Sequence, residues 1–433
     1  MKNSKFEVSL QRWLSESKMA LGIWTGLFAF ISYFSMYMIR KPFTAGQFES
    51  DSIWGIDFKV AIIIAQVMGY ALSKFIGIRV ISSMTHQKRV LYFTLLLSLA
   101  TLSLGMFMVV PSPFSIICFF FNGLPLGMIW GLVFSYLEGR KITEILTAIL
   151  STNFILSSGI AKTLGSLFLL NGVSEKAMPF LCAIIFLPIA ILCFYLLSLT
   201  PPASKEDNLH RKVRTPMTKT NRRTIFQIHG IAIILFTLSY IVLTVIRDIR
   251  DNFAVEIWKE MKIPHNIGIY TLSELPIALI LLIGIALLYR IKNNSNALKF
   301  MNAIMLLMSL ILMFSTLLFD IGSMHGVIWM IVTGSVLFIP YILFNGILFD
   351  RYIATFKVEG NTGYFMYVVD AFGYLASALI LLSKNLWINS MEWLNFYIQT
   401  IYYGGAFLGI LLIILNIYIM ARLKTEDTQI ALT

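Results

Sequence analysis

Charge is what this chain has least of. Only 13% of its 433 residues are Asp, Glu, Lys or Arg, where a soluble domain carries about a quarter. That excludes a water-facing surface over most of its length. Cysteine is also scarce. Cys118, Cys182 and Cys193 all lie inside apolar runs, which excludes a disulfide frame or a zinc cluster. The histidines (His86, His210, His229, His265 and His325) are scattered, mostly near loops, and a solvated or interfacial role is expected for each. No nucleophile–base constellation, metal-ligand spacing or glycine-rich phosphate loop is present. We therefore expect no catalytic residues, no metal and no cofactor, and not an enzyme. Period-2 alternation is missing from the apolar runs, which excludes a membrane barrel.

What is there is apolar. Hydrophobic residues make up 58% of the chain, in runs of about 20 residues. The first six lie near 19–40, 58–81, 90–110, 114–137, 145–171 and 178–199. A second six lie near 225–249, 266–290, 298–319, 326–349, 362–383 and 396–421. In hydrocarbon every backbone polar group must be paired within the chain, so each run is expected to be a helix. The fold class is an all-α polytopic membrane protein of about 12 transmembrane helices. We divide it into an N-terminal segment (1–18), a six-helix bundle (19–199), a basic linker (200–224), a second six-helix bundle (225–421) and a tail (422–433). The linker holds Pro201-Pro202, seven Lys/Arg and two acids. Residues Phe6, Leu10, Trp13 and Leu14 have helical spacing, which fits a helix lying in the membrane interface and equally a polar lead-in. No cleavable signal peptide is recognisable.

Lys/Arg placement gives an orientation. With the N-terminus in the cytoplasm, 22 Lys/Arg fall in cytoplasmic segments against seven outside, among them Lys41 and Lys59. Both termini and the linker are then cytoplasmic. The net charge of +12 is mostly this bias, so no nucleic-acid partner is expected.

Removing the loop charges leaves a short set at membrane depth, where ionisable groups are costly and face a protein interior or a water-filled path. The cations are Arg40, Lys74, Lys162 and Arg247; the acids are Glu274 and Asp370. Arg79, Asp248, Arg250 and Asp251 lie nearer span ends, where long side chains snorkel. Arg40 and Arg247 each close the first span of a half, and transporters built from repeats bind substrate at the repeat interface. Arginine offers a rigid fork to carboxylate or phosphate and lysine a point charge. This set favours an anionic ligand; pairing of the cations with Glu274 and Asp370 for packing is the competing account. Tyr37 and Tyr70 share helix faces with Arg40 and Lys74, and Tyr367 and Tyr374 flank Asp370. Each tyrosine also has an interfacial or packing explanation. Gly123, Gly127 and Gly131 make a smooth face for a neighbouring helix. Pro125, Pro276 and Pro340 are places for a break or a tolerated kink.

At these residues the sequence resembles the organophosphate:phosphate antiporters of the major facilitator superfamily, such as glycerol-3-phosphate and hexose-phosphate transporters. Tyr37-Met38-Ile39-Arg40-Lys41-Pro42-Phe43 is similar to their first-helix Tyr-x-x-Arg-Lys-x-Phe. Gly69-Tyr70-Ala71-Leu72-Ser73-Lys74-Phe75 is similar to their second-helix Gly-Tyr-x-x-Ser-Lys-Phe. Weaker likenesses are Val245-Ile246-Arg247 with Phe253 and Lys259-Glu260, Phe372-Gly373-Tyr374-Leu375, and Ala161-Lys162-Thr163-Leu164-Gly165. The last carries Lys162 where the family has histidine. Thr244 stands where it has tyrosine, and Arg250 is an extra basic group. The resemblance implies a major-facilitator fold of two six-helix pseudo-repeats. It also implies that Arg40 and Arg247 grip a phosphate, with Lys74 assisting and Tyr37, Tyr70 and Tyr374 lining the site.

The expected function is secondary transport of a small organic anion, an organophosphate exchanged for phosphate by alternating access. Substrate-binding residues are Arg40, Lys74, Lys162, Arg247, Tyr37, Tyr70 and Tyr374; Asp370, Glu274 and Arg250 are coupling or ion-pair residues. The alternatives are proton-coupled symport, with Asp370 or Glu274 as proton site, and a membrane sensor of a phosphorylated metabolite. The expected setting is a monomer in the lipid bilayer of a bacterial inner membrane.

Overall fold

The computed structural model describes residues 5–48, 52–53, 55–82, 86–138, 140, 142–202, 219–263, 266–345, 347–358, 362–388 and 390–432. Most of the expected linker therefore lies outside the described residues. Among the described residues the regular structure is helical, apart from one two-stranded antiparallel hairpin, β1 (Ser52–Ile53) with β2 (Ile56–Asp57). Ten helices among the described residues are long and apolar enough to cross a membrane. Phe58–Ser82 and the shorter Ile269–Ile285 occupy the second and eighth places in the series. It is an all-α polytopic membrane protein.

The chain divides into two compact units, Met1–Arg214 with Asn266–Leu272, and Thr215–His265 with Ser273–Thr433. In unit one, α1 (Lys5–Glu16) precedes α2 (Lys18–Arg40), whose N-terminus is capped by the Ser17 hydroxyl on the Ala20 N–H. The helices α3 (Phe58–Ser82), α4 (His86–Val109), α5 (Ile116–Leu126), α6 (Ile129–Phe134), α7 (Thr143–Ser151), α8 (Asn153–Leu170) and α9 (Met178–Ser198) follow. The fourth span is split into α5 and α6 just after Pro125, which lacks the amide a continuous helix needs. Helix α4 shows what lipid asks of a helix. Leu91, Leu95, Leu99, Leu102 and Met106 form an exposed stripe, while Phe93, Leu97, Ala100, Leu104 and Phe107 are buried. It is apolar on both faces, as a membrane span is.

Unit two holds α10 (Lys219–Asn252), α11 (Ala254–Glu260), α13 (Glu274–Tyr289), α14 (Asn294–Asp320), α15 (Gly326–Phe344), α16 (Ile347–Thr355), α17 (Thr362–Trp387) and α18 (Trp393–Leu432). Glu260 accepts the backbone N–H groups of Trp393 at 3.1 Å and Leu394 at 2.6 Å, capping α18. Burial pushes this carboxyl above its ordinary range, while those two bonds pull it down. The one-turn helix α12 (Ile269–Leu272) belongs to unit one. There the Thr163 hydroxyl on α8 lies 2.8 Å from that of Thr271 and donates to the Ile267 carbonyl at 3.1 Å.

The glycine face of α5 packs on α3. A methyl on Gly123 would run into the Gln66 carbonyl, and one on Gly69 into that of Phe120. Such backbone contact is available only to glycine, and it brings polar residues of the two helices within reach of each other. Gly123→Ala is expected to lower stability by about 1–3 kcal/mol. Gly284→Ala, with nothing within 4 Å of the added methyl, should be neutral or slightly stabilising. Thermal unfolding of the two variants in detergent checks this contrast.

Candidate functional site

In unit one the site is built at the end of α2. Pro42 closes that helix, so Arg40 stands in its last turn and the chain passes into a tight turn, Pro42–Ala45. The Arg40 guanidinium lies 4.1 Å from the centre of the Tyr70 ring, and the Lys74 ammonium 5.1 Å from the same ring. Tyr70 and Lys74 are one turn apart on α3. Two cations thus share one aromatic ring, which attracts each of them while they repel one another. Behind them runs a buried amide ladder. The Gln66 amide donates to the Arg40 carbonyl at 3.1 Å and to Asn122 Oδ1 at 2.7 Å, and the Asn122 amide donates to the Ala100 carbonyl at 3.1 Å. The ladder ties α2, α3, α5 and α4 together and fixes the backbone that carries Arg40. Tyr37 packs against the Tyr33 ring at 5.5 Å. Lys162 is buried on α8 and donates to the Ser158 hydroxyl at 2.9 Å.

Lys41 and Lys59, counted with the outer loops from sequence, are both buried in unit one. The Lys59 ammonium donates to the Thr44 carbonyl at 2.8 Å. A shallow cavity of about 560 Å³ in this unit is lined by Ala45, Gln47, Ser166, Glu175 and Ile267, among others. Its carboxylate, Glu175, already accepts the Gln47 and Phe48 backbone amides, so it serves the turn and does not suit an anion.

In unit two the set is arranged differently. Arg247 lies 4.1 Å from the Tyr341 ring centre and 5.7 Å from that of Tyr374. It donates twice to Asp248 Oδ1, at 2.6 and 3.1 Å. Arg250 donates to Glu274 at 2.8 Å and to the Met330 carbonyl at 3.1 Å. Asp370 accepts a hydrogen bond from the Tyr240 hydroxyl, and Tyr240 stacks on Tyr341. Asp248 and Arg250, expected from sequence to reach toward the interface, are instead buried and paired. Glu274 is likewise an ion-pair residue, held by Arg250. His229 is also buried, its Nδ1 2.9 Å from the Tyr352 hydroxyl and 2.7 Å from an Arg422 nitrogen. Of the solvated or interfacial role expected from sequence, its burial excludes the first.

The structure thus groups Arg40, Tyr70 and Lys74 in one unit and Arg247, Tyr374 and Asp370 in the other. Gln66, Asn122, Tyr240 and Tyr341 were not recognised from sequence. Tyr240 stands seven residues before Arg247, two turns along one face, which is the signal that could have found it.

A family model described as "Family of unknown function (DUF5690)" matches residues 42–422. No curated protein matches the sequence. Among solved structures, a proton dependent oligopeptide (POT) family transporter matches with TM-score 0.58 at 14% identity, covering 92% of this chain and 99% of that one. A D-xylose-proton symporter matches with TM-score 0.56 at 11% identity, over 94% and 97%. The nucleoside transporter NupG matches with TM-score 0.57 at 15% identity, over 93% and 99%. At these identities the likeness is one of fold, and the chain has the major-facilitator fold.

Gly334 leaves the space that the Arg250 guanidinium occupies, since a methyl there would stand 2.7 Å from Nη2. Removing the acid from this buried pair strands a charge. Glu274→Gln is expected to cost about 3–5 kcal/mol of stability. Combining it with Arg250→Met should recover part of the loss, as read by thermal unfolding of both variants in detergent.

Proposed function

We propose that this chain, which belongs to the family of unknown function DUF5690, is a secondary transporter that carries a small organic anion. One observation supports this reading above the others. Among the described residues, the buried charges of unit one are Arg40, Lys41, Lys59, Lys74, Arg140 and Lys162, with no carboxylate. Those of unit two are Arg247, Arg250 and Lys384 against Asp248, Glu274 and Asp370. A low-dielectric interior magnifies repulsion among like charges, and charges at membrane depth mark ligand paths. Of these, Arg40 and Lys74 meet at one Tyr70 ring, 4.1 and 5.1 Å from its centre, and an anion is the ligand that suits such a pair.

On this reading Arg40 takes the anion through its fork and Lys74 and Lys162 add point charges. Tyr37 and Tyr70 give aromatic walls within unit one; within unit two Tyr374 lies beside Arg247, which releases Asp248 in favour of an anion. Arg250 and Glu274 act as a fixed pair that joins α10 to α13. Phosphate suits the guanidinium fork, so the substrate is an organophosphate and the counter-substrate inorganic phosphate. An anion between cations as close as Arg40 and Lys74 is favoured over their bare pair, which favours exchange over return of the empty carrier. The anion drives the change of state through its different affinity for the two states. The protein works as a monomer in a bacterial inner membrane with its termini in the cytoplasm.

The test uses the purified full-length protein in liposomes preloaded with labelled phosphate. Efflux is followed while phosphate, glycerol phosphate, hexose phosphates or dicarboxylates are added outside. Stimulated efflux is expected with at least one phosphorylated compound, and Arg40→Lys should reduce it by about tenfold or more. Efflux that no anion stimulates would overturn exchange.

A further inference from the structure

We infer that Gln66 is a positioning residue for anion binding, holding the Arg40 carbonyl and, through it, the guanidinium beside Lys74. The inference rests on the anion-transport reading above and adds to it a residue that sets the affinity.

A helix leaves its last carbonyls without amides to accept from. Were α2 to continue past Arg40, the Arg40 carbonyl would take the amide of Thr44. That amide turns back instead to the Lys41 carbonyl at 3.0 Å, where the Thr44 hydroxyl also donates at 2.8 Å. The Gln66 side chain supplies the missing donor to Arg40 at 3.1 Å. The same nitrogen donates to Asn122 Oδ1 at 2.7 Å, and Asn122 is fixed in turn on the Ala100 carbonyl. Gln66 and Asn122 are both buried, so water does not compete for these bonds.

The turn beyond Arg40 is clamped from two sides. On α3, Lys59 stands two turns before Gln66 and donates to the Thr44 carbonyl at 2.8 Å. On α8, Gly165 lets the turn pack closely, since a methyl there would stand 2.7 Å from the Pro42 carbonyl oxygen. Lys162 lies one turn before Gly165. One side of α3 thus carries Lys59, Gln66 and Tyr70 in order. The first holds the turn, the second the Arg40 backbone and the third its guanidinium.

The type of side chain at position 66 matters as much as its reach. Arg40 and Lys74 repel one another at the Tyr70 ring. The end of α2 is therefore best held by a partner that brings no negative charge of its own, and an amide is one. A carboxylate there would set an acceptor against the acceptor carbonyl of Arg40. Its charge would also occupy the cations in place of the ligand. A binding group works only when held within about 0.5 Å of its productive position, so slack in this last turn is felt as lost affinity.

The experiment measures inorganic phosphate binding to the purified full-length protein in a double-mutant cycle of Gln66→Met and Arg40→Lys. Thermal unfolding in detergent shows that each variant is folded. Gln66→Met should weaken binding about tenfold when Arg40 is present, and less than about twofold in the Arg40→Lys background, which has no fork to aim. If Gln66→Met does not fold, Gln66→Asn takes its place in the cycle; its amide is one carbon too short to keep both bonds, and the same pattern is expected. Equal losses in the two backgrounds mark a general packing role and overturn the positioning of Arg40. No loss in either background overturns it as well, and both outcomes leave anion transport standing. Wild-type protein that neither binds phosphate nor exchanges it overturns the transport reading and this inference with it.

Discussion

A charge held where water cannot reach it must be answered by something close at hand, and this one constraint orders much of the molecule. Hydrocarbon excludes the solvent that would otherwise screen Arg40, Arg247 or Asp370. The chain answers in two ways. It brings aromatic rings, amides and opposite charges up to the buried groups. It also places several of those groups at helix ends, where the backbone's own dipole is complementary. Arg40 and Arg250 stand in the last turns of α2 and α10, and Glu274 in the first turn of α13. Cations at C-termini and acids at N-termini are the favourable sense.

The helix breaks follow from the same logic. The first span stops at Arg40 because Pro42 denies it a further amide, and the eighth is interrupted around Ser273, immediately before Glu274. The prolines and glycines therefore contribute more than kinks. Gly123 and Gly69 let α5 and α3 approach until Gln66 reaches Asn122, and Gly373 lets Tyr240 reach Asp370. Missing side chains at these positions are what allow the polar ones to be paired.

The spans and the intramembrane charges were legible in the sequence because each is written locally, as a run of apolar residues or a departure from one. Arg40 with Tyr70 and Lys74 could be read as a group, since spacing on α3 puts two of them on one face. Their supports could not. Gln66 and Asn122 are 56 residues apart, and Tyr240 and Asp370 are 130 apart; only packing says that they meet. Lys41, Lys59, Asp248 and Arg250 mark a second limit. A charge a turn or two from a span end looks solvated in sequence. The fold buries it when the adjoining turn, such as Pro42–Ala45, is itself covered. His229 belongs with them, buried beside the Arg422 that closes the last span.

The two units solve the same electrostatic problem with opposite means, and the difference bears on how the proposed transport would be divided. Unit two cancels its buried cations internally, through Asp248 and Glu274 and the nearby Asp370. Both of its buried arginines on α10 are paired with acids of the same unit. The contacts of the buried cations of unit one include dipoles and rings, which lower the energy of a cation without cancelling its charge. On the anion-transport proposal, sign selection falls to unit one, whose buried charges among the described residues are all cationic.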